Sequence, residues 1–153
     1  MMNENDKKNE AKLKKIETTL REVEEMITKK INSLANRINC ELKETLDLQT
    51  EATSYRQFLV DERTKMYYKM YRELPKLKKM KKYYFESYST KYPIKINSTE
   101  KAKLIEADVV FIETKLEYYQ NTINFLTESI KTVDHVIYSV KNKIELYNAT
   151  GIE

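Results

Sequence analysis

The chain has 153 residues with one Gly and two Pro, where an average chain of that length would hold roughly ten and eight. So few breakers exclude a β-sandwich, a β-barrel and a loop-rich α/β enzyme, and a single glycine excludes a P-loop or a dinucleotide fingerprint. The net charge is +4, charged residues make up 34% and the mean hydropathy is −0.72, which leaves a soluble, mostly helical protein with a large surface and no catalytic signature.

One His and one Cys cannot assemble a His/Cys zinc site within a chain, and no cofactor is expected. The lone Cys40 fits a reducing compartment, so a cytoplasmic location is expected. No run of about eighteen apolar residues occurs, and the N-terminus is polar, so neither a membrane span nor a signal peptide is read.

Charge is unevenly distributed. Residues 1–54 carry ten Lys/Arg against eleven Asp/Glu, residues 55–95 twelve against four, and residues 96–153 six against nine. All twelve Tyr and all four Phe lie at or after Tyr55. These shifts divide the chain into an N-terminal amphipathic arm (1–54), a basic Tyr-rich segment with its linker (55–95) and a C-terminal heptad helix (96–153). A basic block of this density points to a polyanionic partner.

In chain order, the first eight residues are polar and expected to fray. From Leu13 the apolar residues Ile16, Leu20, Val23, Ile27, Ile31, Leu34, Ile38 and Leu42 recur at steps of three and four, one helical stripe. The pattern loosens over 47–54, and Ser54 with Gln57 has the form of a capping box, so a second helix is expected to start there. It runs towards Tyr84 with a kink or restart at Pro75. Residues 87–98, containing Pro93, read as the loop. The last helix is capped by Asn97 or Ser98. Its apolar residues from Ile105 through Val109, Ile112, Leu116, Tyr119, Ile123, Leu126, Ile130, Val133, Ile137, Val140 and Ile144 to Tyr147 alternate steps of four and three without exception. Gly151 closes it.

The fold class is therefore all-α, with long amphipathic helices and a coiled-coil-like C-terminal heptad helix. Leu116, Ile123, Leu126, Ile130, Val133, Ile137, Val140 and Ile144 are the expected oligomerisation seam. An intramolecular three-helix coil is the alternative burial of the same face.

The sharpest local feature is the run from Lys76 to Phe85, five lysines in seven residues followed by three aromatics. On a helix, Lys65, Lys69, Arg72, Lys76 and Lys79 share one stripe, which Tyr83 continues and Tyr68 flanks. Cations for phosphates and rings for unstacked bases are what single-stranded nucleic acid requires. Lys65, Lys69, Arg72, Lys76, Lys78, Lys79, Lys81, Lys82 and Tyr83 are the candidate DNA-binding residues; a solvated lysine face is the competing reading. No helix-turn-helix or zinc-finger pattern occurs, so binding is expected to be independent of base sequence. The segment lacks the exposed apolar wedge of a membrane-surface helix. The carboxylates Glu22, Glu24, Glu25, Asp108, Glu113 and Glu117, and the single His135, read as helix surface.

Leu48-Gln-Thr-Glu-Ala52, the aromatic Tyr55, the Lys-rich helix ending in Tyr83-Tyr84, then Leu116-Glu-Tyr-Tyr119, Phe125-Leu-Thr-Glu-Ser-Ile130, Tyr147 and Gly151 together resemble the UvsY family of recombination mediators of T-even-like phages. The resemblance spans roughly Leu48 to Gly151. It implies a non-catalytic, ring-forming helical protein that binds single-stranded DNA, a RecA-like phage recombinase and the phage single-stranded-DNA-binding protein, and that helps the recombinase replace that binding protein. It implies DNA contact through the basic helix before the Tyr pair. Lys78 matches one basic position of the family, and a second falls on Met80, flanked by Lys79 and Lys81. The family's Gly after the Tyr pair is absent; Phe85-Glu-Ser-Tyr88 stands there instead. A structural coiled-coil phage or scaffold protein without a nucleic-acid role is the alternative.

Overall fold

In a computed structural model, which describes residues 3–91 and 95–151, the chain forms three helices: α1 (Glu4–Asn36), α2 (Leu42–Thr90) and α3 (Ser98–Thr150). The described residues contain no strand, and none of their helices is long and apolar enough to cross a membrane. The all-α expectation holds.

The helix boundaries follow from caps. Asn3 Oδ1 accepts the Asn5 N–H at 3.0 Å and the Asn3 carbonyl accepts those of Asp6 and Lys7, with Glu4 and Asp6 in the positive first turn. This cap makes the polar N-terminal residues helical from Glu4 onward, where the sequence pattern predicted fraying. Asn97 Oδ1 accepts the Glu100 N–H at 2.8 Å, fixing Asn97 as the cap of α3. At the other end Gly151 takes φ 66° and donates to the Tyr147 carbonyl at 2.7 Å, the left-handed termination that a Cβ would disfavour. Pro93, within the expected loop, lies outside the described residues.

Two expected breaks are misplaced. The first helix ends at Asn36, before the last residues of the apolar stripe, Ile38 and Leu42, and well before the expected loosening over 47–54. The chain tightens there into three-residue bonds, from Arg37 N–H to Leu34, Ile38 to Ala35 and Cys40 to Arg37, at 3.1–3.3 Å. Lys143 Nζ of α3 donates to the Cys40 carbonyl, satisfying an acceptor that the turn leaves free. The second helix then starts at Leu42, not at Ser54, and continues through Pro75 to Thr90. Pro75 has no N–H to give the Tyr71 carbonyl, yet it is exposed and the helix is uninterrupted.

The helices pack as two compact units, one of residues 1–19 and 66–121, the other of residues 20–65 and 122–153. Each helix contributes a segment to each unit, so the units do not follow the three sequential blocks read from charge. In the second unit α1 contributes Leu20, Ile27, Ile31 and Leu34 to the core, α2 contributes Leu48, Ala52 and Leu59, and α3 contributes Ile123, Leu126, Ile130, Val133, Val136 and Val140. Ion pairs flank this core. Glu51 accepts from Lys30 at 2.5 Å and from Arg37, which together hold its carboxyl below the usual range against a smaller burial effect. Arg56 Nε lies 2.5 Å from Asp134 Oδ1. In the first unit the buried apolar residues are Met66, Val109, Ile112 and Tyr119.

The seam of α3 is thus closed by the chain itself. Ile123, Leu126, Ile130, Val133 and Val140 are buried within one chain, and Leu116, Ile137 and Ile144 are half-buried.

Candidate nucleic-acid interface

The cationic residues read from the sequence lie on α2, and all nine candidate site residues are exposed. Eight of them, from Lys69 to Tyr83, belong to the first unit; Lys65 belongs to the second. Lys65 is also engaged, with Nζ 2.5 Å from Glu62 Oε1 one turn back, so it adds little free charge.

Because α2 is continuous, the helical phase carries across Pro75. At 100° per residue the inward face holds Met66, Met70, Glu73, Leu77, Met80 and Tyr84, all buried or half-buried. Lys69, Arg72, Lys76, Lys79 and Tyr83 then fall within an arc of about 80° on the solvent side, with Tyr68 at its edge. Tyr68 and Tyr83 are 65% and 58% exposed, values that leave a ring face open to a ligand. Among the described residues no ion pair engages Lys69, Arg72, Lys78 or Lys79. A free cation is the one that can neutralise a phosphate without first breaking an internal bond.

Lys76 is tied. Its Nζ lies 3.2 Å from Glu73 Oε1, and Lys115 Nζ of α3 lies 3.0 Å from the same oxygen. Glu73 is a buried carboxylate, 8% exposed. Burial pushes its pKa up, but the hydrogen bonds from Lys115 and Lys76 outweigh that and leave it below the ordinary value. Glu73 was not singled out by sequence reasoning; its signal was an acid on the inward face of the most basic helix.

The remaining candidates divide. Lys81 turns towards α3, with Nζ 2.7 Å from Glu113 Oε1. Lys78 and Lys82 lie on the opposite flank of α2 from the ridge, Lys82 within 4.0 Å of Glu86. Sequence reading placed the run Lys76–Lys82 in one site; the structure keeps Lys76 and Lys79 in the ridge and sends Lys78, Lys81 and Lys82 elsewhere. Two lysines outside the run join the aromatics. Lys91 Nζ sits 5.7 Å from the Tyr83 ring centroid, and Lys101 Nζ of α3 sits 5.5 Å from that of Phe85.

Chemically the surface offers cations and aromatic faces. Among the described residues no group of three His, Cys, Asp or Glu is placed to hold a metal ion. Compared with protein-family models, with curated proteins and with solved structures, the chain gives no match.

Proposed function

We propose that the chain binds single-stranded nucleic acid along the α2 ridge and, following the resemblance to the UvsY family, acts as a recombination mediator that helps load a RecA-like recombinase onto DNA covered by single-stranded-DNA-binding protein. The observation that carries the binding reading is the pairing of unengaged cations, Lys69, Arg72 and Lys79, with exposed rings, Tyr68 and Tyr83, on one face of one helix. Cations displace the counterions condensed on phosphates, and rings stack on bases that a duplex would keep paired. Neither contact reads base identity, so affinity is independent of sequence. The partners of this reading are single-stranded DNA, the recombinase and the displaced binding protein. A homo-oligomer, which the resemblance implies, would multiply ridges and give avidity.

A gel-shift titration of single- and double-stranded DNA at two salt concentrations tests the binding reading. Single strands bind more tightly, and log affinity falls with log salt by about 0.7 per phosphate contact. Replacing Lys69, Lys76 and Lys79 by Ala lowers affinity and flattens that slope; an unchanged slope rules the ridge out. For the mediator reading, the protein stimulates the cognate recombinase's DNA-dependent ATPase far more on covered than on bare single-stranded DNA. Equal stimulation on both substrates removes the mediator role and leaves the DNA-binding reading standing.

A further inference from the structure

On the other flank of α2, within the first unit, the pattern of the ridge repeats. Tyr71, Lys78, Lys82 and Phe85 fall within about 60° of one another and are centred about 130° from the ridge. Tyr71 and Phe85 are 59% and 54% exposed, and they bracket two exposed lysines over a span of about 21 Å at 1.5 Å per residue. A fifth group comes from another helix: Lys101 of α3, which lies over the Phe85 ring and donates to Ser89 Oγ at 3.1 Å. Beside Phe85 runs an open groove of about 600 Å³ with Phe85, Ala102 and Ile105 in its lining. The carboxylates Glu106 and Glu113 share that lining with Lys81 and Lys82, and Lys81 pairs with Glu113 at 2.7 Å. The groove's apolar wall accepts a planar base, and Lys82 at its edge faces the phosphate beside it.

We infer that this flank is a second track for single-stranded nucleic acid, with a base stacked on Phe85 in the groove and phosphates on Lys78, Lys82 and Lys101. The inference rests on the reading of the ridge as a single-strand site, and it extends that reading from one stretch of strand per chain to two. In the free protein Lys101 covers the Phe85 ring through a cation–π contact. An incoming base takes the ring face and the displaced ammonium moves to the adjoining phosphate, so one exchange makes both contacts. The lysines at the two tracks point away from each other around α2, which lets both be filled at once.

Calorimetric titration with an oligothymidylate of about ten nucleotides at low salt tests this. Wild type is expected to take up two strands per chain, the K78A/K82A/F85A variant one, and the K69A/K76A/K79A variant one. In the background of the ridge variant, Phe85→Trp retains the remaining site and Phe85→Ala loses tenfold or more in affinity. Every substituted position is exposed, and Glu73 keeps Lys115 as its partner when Lys76 is replaced, so the helices remain, as circular dichroism would verify. Saturation of wild type at one strand per chain, with K78A/K82A/F85A binding unchanged, overturns the second track and leaves the ridge intact. Failure of wild type to bind at all removes both readings. Equal binding of a duplex and a single strand to the ridge variant overturns the second track in favour of simple charge attraction.

Discussion

Glu73 couples the stability of the first unit to its surface chemistry. Its carboxylate is the acceptor for a lysine of the ridge, Lys76, and for a lysine in the interior, Lys115, whose side chain is 20% exposed. The folded pKa is lowered, so this group contributes stability that is present above the unfolded carboxylate value near 4.3 and is lost as pH falls through the folded value. Glu73→Gln is expected to flatten the fall in stability below about pH 5, measured by urea unfolding across pH. The same change frees Lys76 for phosphate, so affinity for single strands rises and the salt slope steepens by about 0.7. Tyr55 offers a second test at this scale. Its ring stacks on Phe58 at 5.4 Å between centroids, but its hydroxyl is buried without a hydrogen-bond partner, and burial raises its pKa. Tyr55→Phe removes an unsatisfied polar group and keeps the ring, so a gain of about 1 kcal/mol in unfolding free energy is expected.

At the scale of elements, α2 holds together where its sequence argues for a break. The inward positions Thr45, Leu48, Ala52, Tyr55, Leu59, Glu62 and Met66 step by three and four just as those of α3 do. Thr, Ala and Glu at those positions hide the periodicity from a hydrophobicity reading. Thr45 is fully buried and its hydroxyl bonds back to the Glu41 carbonyl at 2.9 Å. Pro75 is the remaining local conflict. Pro75→Ala restores the bond to the Tyr71 carbonyl at an exposed site, so stability is expected to rise by up to about 3 kcal/mol, read from the urea midpoint. In α3, Ile130→Glu places a charge at a position 5% exposed inside one chain. The expected result is unfolding of the second unit, a loss of several kcal/mol, detected as lost helicity and not as a change of subunit number. Light scattering with circular dichroism separates the two outcomes.

For the molecule as a whole, the division of labour is between a well-filled unit and a sparse one. The apolar core of the second unit draws on all three helices, whereas the first unit buries Met66, Val109, Ile112 and Tyr119. The first unit also exposes Tyr68, Tyr71, Tyr83, Phe85 and Val110. Opening free energy follows buried apolar contact. Amide hydrogen exchange is therefore expected to be faster over 4–19, 66–90 and 98–121 than over the helical residues of the second unit. On the proposed reading, in which single-stranded DNA binds the folded first unit, saturation with it is expected to slow exchange there by the linkage of binding to stability. Uniform exchange across both units would contradict the difference in packing.

The sequence by itself determined the helical class, the length and uninterrupted seam of α3, its capping at Asn97 or Ser98 and at Gly151, and the concentration of positive charge with aromatics in one segment. These are local or periodic properties: a cap needs one side chain and one turn of backbone, and a seam needs regular spacing of strongly apolar residues. The tertiary structure decided what covers the seam, since apolar spacing specifies a face to be buried and not the chain that buries it. It also decided that α2 is one helix, because packing against α1 and α3 compensates weak local signals over 42–54 and the missing donor at Pro75. The lysine run was divided in the same way. Which of Lys76–Lys82 are free, paired or turned to the other flank depends on Glu73, Glu113 and Lys115, and on the phase of a helix whose inward face only its neighbours define.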